Sequence, residues 1–294
     1  MPRPRMPAPR RFAVLALAFL AAAGIRAGAA EGAWRPLFNG RDLGGWETWL
    51  GRPHASLEIA GLARGGDGKY TDPIGLNRDP LGVFGVVTVD GAPALRFSGQ
   101  VFGTLSSLES FSNYHLRLQF KWGEKRWPPR ATVVRDSGLL YHGHGPHGGG
   151  TGSAWINSHE LQIQERDCGD YWAVGPVQAD IPARPSGEKL FQYDPAAAPL
   201  AFGVDTPRGS RVIRLADREK PHGEWNTIEL VCVGDESVHV VNGELVLRLR
   251  GLRTAAGERL QAGCIQLQSE GAEIFYRAIE VRPVTETPAA WRAP

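Results

Sequence analysis

The sequence predicts an all-β protein, a jelly-roll sandwich of two antiparallel β-sheets. Three observations lead there. Past residue 30 the apolar residues recur at every second position, the spacing of strands with one buried and one polar face. The chain of 294 residues carries 37 Gly and 22 Pro, which break it into the many short runs of a sandwich. Nine Trp, eleven Phe and six Tyr are the large apolar side chains a disordered chain lacks, so the Gly and Pro are turn punctuation and not low complexity.

The elements follow in chain order. Residues 1–11 hold Arg3, Arg5, Arg10 and Arg11 and no acid, and Phe12 to Ile25 is an almost unbroken apolar run followed by Ala27-Gly28-Ala29. That run is short for a bilayer span but suits the core of a signal peptide with a small-x-small cleavage site. A leader over 1–29 and a periplasmic or secreted protein are therefore expected, with an uncleaved anchor as the alternative. The β-sandwich domain is expected over 30–284. In it Tyr114, Leu116, Leu118, Phe120 and Trp122 alternate with polar residues, as do Leu161 and Ile163. Ser237–Val241 and Glu244–Leu249 flank Asn242-Gly243, the strongest short-range hairpin signal in the chain. Residues 182–223 lack clean alternation and read as a loop insertion, 50–80 as a Gly-rich loop, and 285–294 as a frayed tail.

Charge and cysteines exclude several function classes. The formal charge is +2, but the leader holds five arginines and no acid. Without it 28 basic residues face 31 acidic ones, a net −3, so no basic surface for nucleic acid or anionic membrane is indicated. Cys168, Cys232 and Cys264 contain no C-x-x-C pair, so a structural zinc or redox motif is not expected. Cys232 and Cys264 could pair, although alternation places them on opposite faces.

Chemistry concentrates in residues 135–172. A strand near His159 projects Glu160, Gln162, Gln164 and Arg166 to one face and Leu161 and Ile163 to the other. Such a row can be an ordinary solvated face. Here it is amide and carboxylate in character, is flanked by Trp155, Tyr171 and Trp172, and follows a loop with His142, His144 and His147. Asp167 and Asp170 read as turn residues or as groups orienting His142, and Arg135-Asp136 as an ion pair or as cleft residues. Cys168 has no paired base in its motif and is not expected to be a nucleophile. Trp46 and Trp49 read as core or rim packing.

Five segments taken together, WRPLFNGRDLGGWETW (34–49), RDSGLLYH (135–142), HELQIQERDCGDYW (159–172), GEWNTIELVCVGDESVHVVNGELV (223–246) and GCIQLQSEGAEIFYRAIEVRP (263–283), resemble the bacterial 3-keto-disaccharide hydrolase family. The resemblance runs through nearly all of the chain after the leader. It implies a concanavalin A-like sandwich with a carbohydrate cleft, related to endo-β-glucanases, and activity on glycosides whose C3 hydroxyl has been oxidised to a ketone. It also implies a functional link to a sugar 3-oxidoreductase that makes such a substrate.

The related glucanases carry an E-x-D-x-E strand whose two glutamates perform the chemistry. The matching positions here are Glu160, Gln162 and Gln164, and a glutamine is neither an acid nor an anionic nucleophile, so two-carboxylate hydrolysis from this strand alone is disabled. A 3-ketone acidifies the C2 proton and opens another route, elimination of the C1 group followed by hydration. For that route the expected catalytic residues are His142 and Glu160, one as base and the other as acid. Gln162 and Gln164 would hold hydroxyls or the ketone, Arg135 or Arg166 the oxyanion, and Tyr171 or Trp172 would stack on a sugar face. His142, His144 and His147 are read either as a divalent-metal site or as a mobile loop facing water; no other cofactor is expected. A non-catalytic, lectin-like carbohydrate-binding module is the alternative from another class. A glycosidase acting on unoxidised glycans with carboxylates from other strands is the third reading.

Overall fold

The computed structural model describes residues 1–2, 32–150 and 154–292. The leader expected over 1–29 lies outside the described residues, apart from Met1 and Pro2. Two antiparallel sheets face each other, as the sequence predicts, and no α-helix occurs among the described residues. None of the described helices is long and apolar enough to cross a membrane.

The larger sheet has eleven strands, nine of them in the order Leu190–Tyr193, Val177–Gly187, Glu244–Thr254, Glu236–Val241, Asn226–Val233, Tyr114–Arg126, Ala272–Pro283, Ala92–Phe97 and Phe84–Val89. Arg35–Pro36 and Pro199–Gly203 pair at its sides. The second sheet has eight strands in the order Arg211–Val212, Tyr171–Val174, Asn157–Gln164, Asp136–His144, Cys264–Ser269, Gly103–Ser107, Trp46–Leu50 and Gly75–Leu76.

Alternation explains which residues lie between the sheets. Leu116, Leu118, Phe120 and Trp122 of the larger sheet are buried against Leu105, Leu139, Leu161, Ile163, Ile265 and Leu267 of the smaller one. Each fully buried side chain of this size contributes about 1.5–3 kcal/mol relative to exposure. The polar partners on the outer face of Tyr114–Arg126 are matched across strands, with Arg117 on Glu280 at 2.7 Å and His115 on Glu229 at 2.8 Å. At the hairpin, Asn242 and Gly243 have φ of 51° and 86°. Both values are positive, as a type I′ turn requires, and so Asn-Gly is the fitting pair.

Two expectations need correction. Residues 182–223 are not a loop insertion: Val177–Gly187 continues into them, and three further strands follow, Leu190–Tyr193, Pro199–Gly203 and Arg211–Val212. The alternation Val177, Ala179, Ile181, Ala183 is present, but Ala and Pro carry it too weakly to stand out in sequence. The segment 285–294 is not frayed as far as it is described. Trp291 lies edge-on to His115 at 5.4 Å, donates from Nε1 to the carbonyl of Gly243, and accepts from Arg248 at its own carbonyl. Cys232 and Cys264 are unpaired, like Cys168; Cys232 lies in the core and Cys264 on the far face of its sheet, as their parity implies.

Candidate functional site

The face of the eight-stranded sheet turned away from the core is polar, and strand register lays out its residues as a grid. Glu160 stands between Trp172 on one neighbouring strand and Leu140 on the other, and Leu140 stands beside Gln266. One step along, Gln162 is opposite Gly138, and Gln268 lies on the next strand in line with it. A further step brings Gln164 opposite Asp136. Beyond Gln266 and Gln268 come Ser106 and Thr104, and then Glu47 and Trp49. Trp46 points the other way, into the core.

This polar face is not a solvated one. Glu160 is 5% exposed and Gln268 2%, so their polar groups have left water. Most neighbours are satisfied: Gln164 donates to Asp136 Oδ2 at 2.6 Å, and Gln266 donates to Ser106 at 2.8 Å. Two are not. Gln268 Oε1 is buried with no partner, and the Glu160 carboxyl has no hydrogen bond or ion pair among the described residues. Both converge over Gly138, where an added Cβ would collide with Glu160 Oε1 and Gln268 Oε1 together. Gly138 is therefore the floor that lets the two side chains meet. A buried polar group without a partner costs about 1–3 kcal/mol, and groups left so at the floor of a polar face are placed to meet a ligand.

Charges around this point are arranged asymmetrically. Arg130 pairs with Asp136 at 2.5 Å and approaches Glu270 at 3.8 Å, while Asp136 Oδ1 is buried without a partner. Burial pushes the Glu160 carboxyl well above the usual carboxylate range, and the negative charges of Glu270 and Asp136 push it the same way. Burial and these two neighbours thus favour the neutral, protonated form of Glu160. Glu270 is raised to about 8, by burial first and then by Asp136, against the pull of Arg130. Asp136 is raised to about 6 by burial, opposed chiefly by Arg130.

The structure brings together some of the residues singled out in the sequence and separates others. Glu160, Gln162 and Trp172 share the polar face, and the Arg211 guanidinium lies 5.5 Å from the Trp172 ring centroid. Gln164 is also there but committed to Asp136. Tyr171 faces the core, where its hydroxyl meets His159 Nδ1 at 2.9 Å, and cannot stack on a sugar. Arg135 is held by Glu165 at 2.8 Å and by the carbonyl of Gly123, and Arg166 sits in the turn beyond the strand beside Glu165, Asp217 and Glu219. Asp170 is buried against Arg211 and Arg214, and Asp167 pairs with Arg211. Neither orients His142.

His142 is not Glu160's partner. A break in register between Tyr141 and His144, with φ of +52° at His142, turns its ring into the sandwich against Tyr141 and Tyr114. Such a bulge re-aims one side chain to the opposite face. His144 turns back to the His142 carbonyl at 3.1 Å, and His147 reaches Glu47 at 3.0 Å and stacks on Trp49. The three imidazoles do not converge, and no group of three His, Cys, Asp or Glu among the described residues is placed to hold a metal.

Between the sheets lies a second polar cluster. Tyr141 meets Ser237 at 2.8 Å and His239 Nε2 at 3.0 Å, while His239 Nδ1 donates to the Gly169 carbonyl. Burial lowers His142 to about 4 and His239 to about 3, and holds His159 well below its usual value.

These shifts set a pH dependence. The histidines bind protons more readily unfolded, so their contribution is complete above about 6.5 and is lost as pH falls toward 4 and 3. Glu160, Glu270 and Asp136 bind protons more readily folded, so theirs is complete below about 4 and is lost as pH rises toward 8. The melting temperature is expected to peak between about pH 4.5 and 6.5 and to fall on both sides. A thermal-denaturation series from pH 3 to 9 checks this; a melting temperature that keeps rising from pH 6.5 to 8 would contradict it.

Gly138, Gln268, Glu270 and Arg130 were not singled out in the sequence, and Asp136 only as an ion-pair or cleft residue. The parity of Gln266 and Gln268, continued by Glu270 just past the end of Cys264–Ser269, signals this strand's contribution, but only once its pairing with Asp136–His144 is known.

Several solved structures are similar. A candidate glycosyl hydrolase from Parabacteroides distasonis is 15% identical, with 85% of this chain and 94% of that one covered and a TM-score of 0.47. Domain 4 of the extracellular arabinanase AbnA from Geobacillus stearothermophilus is 11% identical, with 88% and 95% covered and a TM-score of 0.39. A β-glucanase from Bacillus licheniformis is 10% identical, with 87% and 98% covered and a TM-score of 0.36. No curated protein matches the chain. A family model does match, over residues 33–282, which is most of the chain. The protein belongs to the carbohydrate-active family of the 3-keto-alpha-glucoside-1,2-lyase-like domain.

Proposed function

We propose that this protein is an exported enzyme that cleaves 3-keto-glycosides by elimination, with hydration completing a net hydrolysis. One observation carries the reading: the Glu160 carboxyl, whose neutral form burial favours, stands over Gly138 beside the orphan Gln268 Oε1. Membership of the family supports the substrate class.

The chemistry follows from the ketone. Loss of the C2 proton to a base leaves an enolate, whose negative charge rests on the C3 oxygen. The enolate electrons then form the C1–C2 double bond as the C1–O bond breaks, and the leaving oxygen takes a proton. Water then adds its hydroxyl to C1 and a proton to C2. A protonated Glu160 is suited to the leaving oxygen, because a carboxylic acid held neutral at pH 7 can give up its proton where it is needed. The amides of Gln162 and Gln268 are placed to hydrogen-bond ketone and hydroxyl groups, and Trp172 offers an aromatic face at the edge of the grid. The substrate requires a preceding enzyme that oxidises C3 of a glycoside.

The test is incubation of the purified protein with 3-ketolactose or 3-ketotrehalose. The expected result is release of the partner sugar together with the 3-keto monosaccharide of the oxidised ring or its 1,2-unsaturated form. Two outcomes would sink the reading. One is comparable release of sugar from unoxidised laminarin or cellobiose. The other is calorimetric binding of the keto sugar without turnover, which would make the protein a lectin.

A further inference from the structure

We propose that Glu270 is the second catalytic carboxyl of this site, acting with Glu160 across Gly138 as the base that takes the C2 proton. The assignment rests on the function proposed above. It restores, from the residue just past Cys264–Ser269, the carboxyl that Gln164 lacks.

The geometry leads there stepwise. Glu160 lies on Asn157–Gln164, and its carboxyl leans over Gly138 toward Gln268, on Cys264–Ser269. Glu270 is the next residue of Gln268's parity, about 7 Å further along. Its carboxyl is turned to the same region, since Arg130 lies 3.8 Å from it and 2.5 Å from Asp136, which itself stands opposite Gln164. Unlike Asp136, which is 4% exposed in its side chain and held by Arg130 and Gln164, Glu270 is 16% exposed and has no hydrogen bond among the described residues. A substrate can reach it. The buried, unpartnered Gln268 Oε1 between the two glutamates marks the space as a ligand's and not only an acidic patch.

Asp136 and Arg130 then have a positioning role. Their charges offset each other, and Arg130 is left near enough to Glu270 to favour its ionised form. Two buried carboxyls this near do not ionise together at low cost. Burial raises both Glu160 and Glu270, with Asp136 adding to each and Glu270 adding to Glu160. Only Glu270 has a cation, Arg130, pulling it toward the ionised form, so Glu160 is the one to keep its proton and Glu270 the one available as the base. In the step itself the C2–H bond breaks, Glu270 takes the proton, and the electron pair enters the enolate. As C1–O breaks, Glu160 gives its proton to the leaving oxygen. During hydration Glu160 takes a proton from the attacking water and Glu270 returns its proton to C2, so both end as they began.

The experiment uses the full chain with 4-nitrophenyl 3-keto-glucoside and 3-ketolactose in deuterated water, with C2 exchange followed by NMR beside product release. Glu270→Gln is expected to lose at least about 100-fold in both C2 exchange and turnover on either substrate. Glu160→Gln is expected to keep C2 exchange, lose turnover on 3-ketolactose, and recover it with nitrophenolate, which leaves without an acid. Should circular dichroism show Glu270→Gln unfolded, Glu270→Asp takes its place, with exchange expected to fall about 10-fold or more as the carboxyl is drawn back. Wild-type C2 exchange in a folded Glu270 variant would overturn the assignment while leaving the substrate class intact. A wild-type protein that neither exchanges C2 nor cleaves either substrate would overturn the proposed function, and this role with it.

Discussion

Glu160→Gln is expected to lower turnover of a 3-keto-disaccharide by about 10²–10⁴-fold while substrate binding changes only a few-fold. The size follows from what the substitution removes. Glu160 is buried, lacks a partner among the described residues, and is pushed toward its protonated form by burial and by Glu270 and Asp136. A glutamine amide has nearly the same shape, donates a hydrogen bond as a neutral carboxylic acid does, and fits the same space over Gly138. It cannot release a proton to the leaving oxygen. Binding and chemistry should therefore part company. Steady-state kinetics beside calorimetry on the variant would show this as a fall in kcat with a nearly unchanged Kd. Equal losses in both would point to a binding role, and unchanged kcat would remove Glu160 from the chemistry. The variant should also be at least as stable as wild type above pH 7, because the amide removes a buried carboxyl that must ionise as pH rises.

Gly138→Ala is expected to lower turnover by about 100-fold with every chemical group still present. The new methyl would occupy the space where Glu160 Oε1 and Gln268 Oε1 meet. Both are ends of flexible side chains, so they can swing aside without moving the sheet, and alanine reduces the freedom of the unfolded chain. Activity should collapse while the melting temperature shifts by only a few degrees. Thermal denaturation alongside kinetics distinguishes this from general damage. A variant with wild-type kcat would show that the convergence over Gly138 has no part in catalysis, and a large fall in melting temperature would make Gly138 a packing residue.

Much of the architecture is legible in local sequence because a strand's two faces alternate with a period of two, and that period needs no knowledge of partners. The row Glu160, Gln162, Gln164, the core parity of Leu161 and Ile163, the opposite faces of Cys232 and Cys264, and the Asn242-Gly243 hairpin all follow from it. The 182–223 segment escaped because Ala and Pro fill its inward positions and dilute the contrast on which alternation depends.

The grouping around Glu160 is different in kind. Parity alone aligns His142 with Glu160, and one extra residue in the ladder at Tyr141–His144 sends that imidazole into the core. Tyr171 looks like a cleft aromatic until its pairing with Leu161 shows that it shares the core face. Asp136, Gly138, Gln268, Glu270 and Arg130 come from segments more than a hundred residues apart, joined by the pairing of Cys264–Ser269 with Asp136–His144. By itself the sequence determined an antiparallel sandwich and one polar row centred on Glu160. Tertiary structure decided which side chains surround Glu160 and which histidines are withdrawn, because register and bulges depend on distant strands, whereas alternation is a property of each strand alone.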